Sequence, residues 1–339
     1  MIAGRAGMAS PGPGAGRRLW AAIVALSVAC STAGLSLADD TESESDGSGD
    51  KKVGTPVDCR YESGAAGDET GEARRSRGVP FPSDDVFRPL FADPKQPQFF
   101  ATYQAARARE ANTSANIGSV GFGENFGLYA RRRGCDGWQV GILAGVFSQF
   151  NLDAPSSDLI NTDFVFGIPV SWRSGLFSLR ARLYHQSSHL GDELLLGNPG
   201  LNRVNLSFEE AEALLSLDAP GGWGRVYGGG GYLLHRTPDL ERGKAQWGVE
   251  LRGPTMRPVL FGDSIGALRV TPVLGADFKA FEELAWNVNT NAVAGIEWSR
   301  ATGTRRFRLL FNYYRGFNPY GQFFNQKIET FGIGLYLAF

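Results

Sequence analysis

Histidine is scarce in this chain, with three in 339 residues, and so is cysteine, also with three. No cysteines or histidines fall at zinc-ligand spacing, which excludes a small zinc-built module. An excess of basic residues is missing as well. Lys plus Arg number 34 against 35 Asp plus Glu, a net charge of -1, so the chain lacks the electrostatic footprint of a nucleic-acid binder. After residue 40 there is no run of about twenty apolar residues, so no transmembrane helix is expected in the mature part. Glycine and aromatics are plentiful, at 45 residues and 12%. That mixture suits a sheet protein with many tight turns.

The N-terminus reads as an export signal over residues 1–38. Arg17 and Arg18 supply the positive start, Leu19 to Val28 the apolar core, and Ser36-Leu37-Ala38 a small-x-small cleavage site. Residues 39–78 are acidic, polar and poor in apolar side chains, and read as a disordered linker on the periplasmic side. With Cys30 removed alongside the signal, Cys59 and Cys135 remain. A disulfide and two separate thiols both stay open.

Residues 79–339 are expected to form a barrel domain with a short periplasmic N-terminal segment. From about residue 97 the chain alternates apolar and polar residues with a period of two, in about twelve segments separated by turn residues. Trp247, Val249 and Leu251 oppose Gln246 and Glu250; Phe307, Leu309 and Phe311 oppose Arg306, Arg308 and Asn312. Many segments are long enough to cross a bilayer when tilted. A soluble barrel would turn its apolar face inward, whereas an outer-membrane barrel turns it to lipid and lines the lumen with the polar one. Charged residues in mid-strand, apolar faces ending in aromatics and the export signal favour the second. The expected fold is all-β: an antiparallel transmembrane barrel of about twelve strands in a bacterial outer membrane. The final strand, apolar at alternate positions from Phe331 to Phe339, resembles the terminal signal read by the outer-membrane assembly machinery. Two residues look misplaced, Pro272 in mid-strand and Glu124 in phase with Phe122 and Phe126, and a bulge is expected at each.

The chemistry concentrates in one stretch. Phe177, Leu179, Ala181 and Leu183 mark an outward face that continues in phase into His185, Ser187 and His189. Histidine and serine two apart on one strand face have backbones about 6.5–7 Å apart, so the imidazole can reach the hydroxyl. That is a nucleophile and base for acyl transfer, with Ser187 attacking and His185 taking its proton. The following strand places Asn205, Ser207 and Glu209 on the same face, and Asn205 or Glu209 would orient the imidazole. All of these residues could equally sit at headgroup level, where polarity costs little.

His185-Gln186-Ser187 resembles the site of outer membrane phospholipase A, and its His-x-Ser spacing resembles the lipid A deacylase barrels. The resemblance implies a serine hydrolase acting on outer-leaflet phospholipid or lipid A, with calcium as the one cofactor left open and a homodimer as one arrangement. The chain departs from those families in having Ser188 where they have Asn. A wider similarity, carried by Phe87–Tyr103, Tyr184–Glu193 and Asn318–Gln322, is to a bacterial family of unknown function with predicted outer-membrane location.

Two rival readings stand beside the hydrolase. His189, Asp192 and Glu193, close to His185, would hold a metal at one loop, although histidines four apart on a strand sit about 13 Å from each other. A non-catalytic barrel, either a narrow pore or a structural or binding protein, would use residues 185–193 as a metal- or partner-binding loop and line its lumen with Arg180, Arg182, Arg306 and Arg308.

Overall fold

The computed structural model describes residues 76–109, 113–198, 200, 203–256, 268–300 and 305–338. The expected signal peptide, the linker up to residue 75, Cys59 and Phe339 lie outside the described residues; Arg77 and Gly78, expected as the end of the linker, belong to a strand.

Among the described residues thirteen strands follow one another. They are β1 (Arg77–Pro80), β2 (Phe99–Ala108), β3 (Thr113–Arg133), β4 (Asp136–Asn151), β5 (Asp158–Ser174), β6 (Phe177–Leu190), β7 (Leu206–Asp218), β8 (Gly224–Thr237), β9 (Gly243–Arg252), β10 (Leu268–Phe281), β11 (Val288–Arg300), β12 (Arg306–Phe317) and β13 (Lys327–Ala338). A short helix, α1 (Asp192–Gly197), follows β6. Strands β2 to β13 pair antiparallel with their neighbours, β3 also pairs with β4, and β13 pairs with β2, so the sheet closes into a twelve-stranded barrel. Each of β2 to β13 matches a segment of period-two alternation to within a few residues, because a half-buried sheet demands that period; β1 lies outside the expected segments.

The faces are reversed relative to a soluble barrel. On β5, Phe164, Phe166, Ile168, Val170 and Trp172 are all exposed, while Asp163, Ser171 and Arg173 are buried. On β6, Phe177, Leu179 and Leu183 point out, and Ser178, Arg180 and Arg182 point in. An apolar band of this extent is covered only by lipid. The short turns at 134–135 and 175–176 lie at the end carrying β1 and the C-terminus, which is the periplasmic end of such barrels.

The lumen is not open. β1 and β2 both pair antiparallel with β3, at Tyr129–Arg132 and Thr113–Gly121 respectively. They are two halves of one strand position, and between them the chain leaves the wall and passes through the interior. Val86, Phe87, Leu90, Phe91 and Ala92 of this internal strap are buried, as are Arg88, Asp93 and Gln96. The expected periplasmic segment is therefore an interior one. Its proline-rich sequence has no period, and its apolar residues are covered by the barrel wall rather than by each other.

Four of the five strap charges meet wall charges, Asp84 through Arg132, while Asp85 accepts hydrogen bonds from Asn125 and Gln139. Arg88 pairs with Asp218, Lys95 with Asp163 at 2.6 Å and Asp93 with Lys279 at 2.5 Å. Arg180 stacks over Phe87, and Arg252 and Arg308 lie over Phe91. The wall arginines are paired among themselves as well. Glu212 takes Arg180 at 3.0 Å and Arg182 at 2.8 Å, and Glu297 takes Arg252, Arg306 and Arg308 at 2.6–2.8 Å.

Neither expected bulge forms. The β3–β4 register runs through Glu124 unbroken and shifts only between Gly127 and Tyr129, so Glu124 keeps the outward phase of Phe122 and Phe126. Pro272 is accommodated differently. Its register with β11 is regular, and pairing with β9 begins only at Val273, so the missing N–H breaks no ladder.

Two outcomes are expected. Planar-bilayer recordings of the intact protein should show no steady current, and replacing residues 82–96 with a Gly-Ser linker should open one. Glu297→Ala leaves three buried guanidinium groups without their carboxylate and should cost about 3–5 kcal/mol in urea unfolding of the refolded barrel.

Candidate lipid-facing site

The outer ends of β5 to β8 carry a change of character on the lipid face. Cross-strand register lines up rows of outward residues. Toward the membrane centre the rows are Val170, Ala181, Ala213 and Gly230, then Ile168, Leu183, Ala211 and Tyr232. The next row outward is Phe166, His185, Glu209 and His235, and the one beyond it Phe164, Ser187, Ser207 and Thr237. Polarity begins abruptly at His185, where the wall reaches the outer interface.

His185 and Glu209 face each other across the β6–β7 ladder, and His185 Nδ1 lies 2.8 Å from Glu209 Oε1. The other carboxylate oxygen, Oε2, lies 3.1 Å from His235 Nδ1. One carboxylate thus joins two imidazoles from the strands on either side of it. Mutual hydrogen bonding offsets the cost of polar groups on a lipid-facing wall. It also leaves Nε2 of His185 as the ring nitrogen available to a neighbour.

Of the two candidates for orienting His185, Glu209 takes that place. Asn205 precedes β7 and is exposed. Ser187 shares the outward face with His185, and among the described residues no hydrogen bond joins the two.

His235 was not legible as a site residue. Straight alternation from Tyr232, which is outward, would turn it into the lumen. A bulge on β8 breaks that phase: Glu210 pairs with Leu233 and Glu209 with His235, leaving Leu234 as the extra residue. The Leu233-Leu234 doublet was the available signal, since one of two adjacent leucines is surplus to a strict alternation.

His189 lies on the same face, its ring 5.8 Å from that of Phe164 in an edge-to-face contact. Asp192 and Glu193 stand on the first turn of α1. Among the described residues no three His, Cys, Asp or Glu side chains are grouped as a metal cage, so these three do not converge.

Behind the site, inside the wall, three distant stretches meet at Asp163. Lys95 of the strap pairs with it, Ser188 Oγ donates to it at 2.5 Å, and Gly321 N donates at 3.1 Å. A Cβ on Gly321 would lie 2.8 Å from Ser188 Cβ, so only glycine permits this approach. Gln322 Nε2 donates to both Ser188 O and Val204 O at 2.7 Å, tying the outer end of β6 to the segment that leads into β7. The node holds Ser188, and with it the backbone that presents Ser187.

The stretches that meet here are those carrying the wider similarity, and a family model, "Protein of unknown function (DUF1207)", matches residues 68–339. The chain belongs to the DUF1207 family. Among curated proteins none matches the sequence. Among solved structures, this DUF1207 chain is similar to the outer membrane phospholipase of Salmonella typhi, a dimer with bound calcium, at 13% identity and a TM-score of 0.48, over 74% of this chain and 94% of that one. It is similar to outer membrane phospholipase A of Escherichia coli at 14% identity and a TM-score of 0.45, over 74% and 94%. A third likeness is to LpxR from Salmonella typhimurium, at 10% identity and a TM-score of 0.36, over 71% and 100%. These structures are outer-membrane barrels, as is the DUF1207 chain, and the likeness carries nothing about activity.

With only three histidines, the site is directly readable by 15N-histidine NMR. Two of the three should be in the Nδ1–H tautomer, held there by Glu209. In Glu209→Ala they should return to the Nε2–H form that a free imidazole prefers.

Proposed function

We propose that this outer-membrane barrel is a serine hydrolase of acyl esters in the outer leaflet. The observation that carries the reading is the 2.8 Å contact between Glu209 and His185 Nδ1 on the lipid face, two residues from an outward serine. A carboxylate on Nδ1 fixes the tautomer, leaves Nε2 basic and stabilises the imidazolium that forms when Nε2 takes a proton. Ser187 Oγ attacks the ester carbonyl while Nε2 accepts its proton. The tetrahedral intermediate collapses, His185 protonates the leaving alkoxide, and an acyl-Ser187 ester remains for water to hydrolyse by the same base. His235 holds the second carboxylate oxygen and keeps Glu209 in place.

The surroundings fit an acyl substrate. Phe164 and Phe166 flank Ser187 and His185 on β5. Below the site the wall is thinned by Ala181, Ala211, Ala213, Gly228 and Gly230, so an acyl chain has room against it. Phospholipid and lipid A share the ester that this chemistry needs. The filled lumen weighs against the pore reading.

The test is fatty-acid release from outer-membrane lipids by the refolded protein, with calcium or with EDTA. Ser187→Ala and His185→Ala should each lower release by at least about 10³-fold under both conditions, and Glu209→Ala by about 10²–10⁴-fold. Equal release, or equal inertness, of wild type and both variants on phospholipid and lipid A would overturn the assignment.

A further inference from the structure

On the far side of the wall from the lipid-facing site, the outer half of the lumen holds a cavity of about 160 Å³. Much of its rim and upper walls is apolar, with Phe208, Leu240, Phe281, Leu284, Phe317 and Phe324. Its floor is charged, and Lys95, Arg182, Lys244, Asp277 and Lys279 contribute.

The floor charges are unequal in one respect. Each cation is already matched: Lys95 with Asp163, Arg182 and Lys244 with Glu212, and Lys279 with Asp93. Asp277 is different. It is only 2% exposed, yet no ion pair engages it among the described residues. Both hydrogen bonds it accepts fall on one oxygen, Oδ1, from Tyr227 Oη and Gln246 Nε2 at 2.7 Å each. Oδ2 is left to the cavity. A buried carboxylate with no ion pair of its own is costly, and a ligand cation would offset that cost. The rim carries charge of both signs: two carboxylates and Arg242, whose guanidinium donates to the carbonyls of Leu233 and Leu234. Glu241 and Glu283 line it, and no ion pair engages either among the described residues.

From this arrangement we infer a second binding site, open to the outer side and built for a small organic cation with an apolar body. The ammonium or amidinium group would sit on Asp277 Oδ2, and the body would fill the ring formed by Phe281, Phe317 and Phe324. Size limits the ligand. A cavity of about 150 Å³ accommodates a benzene ring, so a single aromatic ring or a short branched chain fits. An anion is disfavoured because every floor cation would have to leave its carboxylate first. The site is independent of the proposed hydrolase, since Asp277 lies inside the barrel and the site of Ser187 outside it.

Three probes of one shape and different charge test the inference: benzylammonium, benzyl alcohol and benzoate. Saturation-transfer NMR on the refolded full-length protein at neutral pH, with empty micelles as the blank, reads their affinities. Benzylammonium should bind at least about tenfold tighter than either of the others, the worth of one charge-assisted hydrogen bond. Asp277→Asn should abolish that preference. The three-probe comparison on wild type needs no variant to fold. Benzoate or benzyl alcohol binding as tightly as benzylammonium, absence of binding by all three, or an unchanged preference in a folded Asp277→Asn protein would each overturn it.

Discussion

Charge neutralisation inside a closed wall is the constraint on which this structure depends. A twelve-stranded barrel in lipid must turn its apolar residues out, and every polar residue that the alternation then sends inward is cut off from bulk water. A lone buried charge costs several kcal/mol, so most of the interior charges are held in a matched network. Glu297 with three arginines, Glu212 with Arg180 and Arg182, and Asp218 with Arg173 and Arg88 are the result. The strap belongs to this network as much as the wall does, because it supplies counter-charges to Asp218, Asp163 and Lys279.

The same constraint links the inside of the wall to its outside. Ser188 points inward to Asp163 and Ser187 outward to lipid, so neighbouring residues of one strand serve opposite environments. Asp163 gathers the strap, β6 and the 318–324 loop, and this inner fixture lies directly behind the outer row of His185, Glu209 and His235. A lipid-facing site has no packed neighbours on its open side, and its rigidity has to come from behind.

Much of the wall was legible in the sequence because a period of two is a direct imprint of the sheet. It placed His185, Ser187 and Glu209 on one lipid-facing surface. What it could not supply was cross-strand register, and register is what separates Glu209, directly opposite His185, from Asn205, which lies before the strand. His235 was hidden by a bulge that a strict period assigns to the wrong face. The strap was hidden for a different reason: Phe87 and Phe91 lie against wall arginines and Leu90 packs with Leu214 and Tyr227, and no local pattern encodes such tertiary contacts. Glu124 shows the opposite limit, for the alternation was right about its direction and the bulge expected to rescue it does not form.

Because β1 and β2 occupy one strand position with the strap between them, the strap is held at both ends rather than inserted from a free end. Tension applied to the chain upstream of Arg77 is borne first by the four-residue ladder between β1 and β3. Only after that ladder and the contacts of Asp84 and Asp85 with the wall part does any load reach Arg88 and its partner. The short strand acts as a mechanical fuse, separating whatever pulls on the N-terminal side from the charge network that keeps the barrel filled.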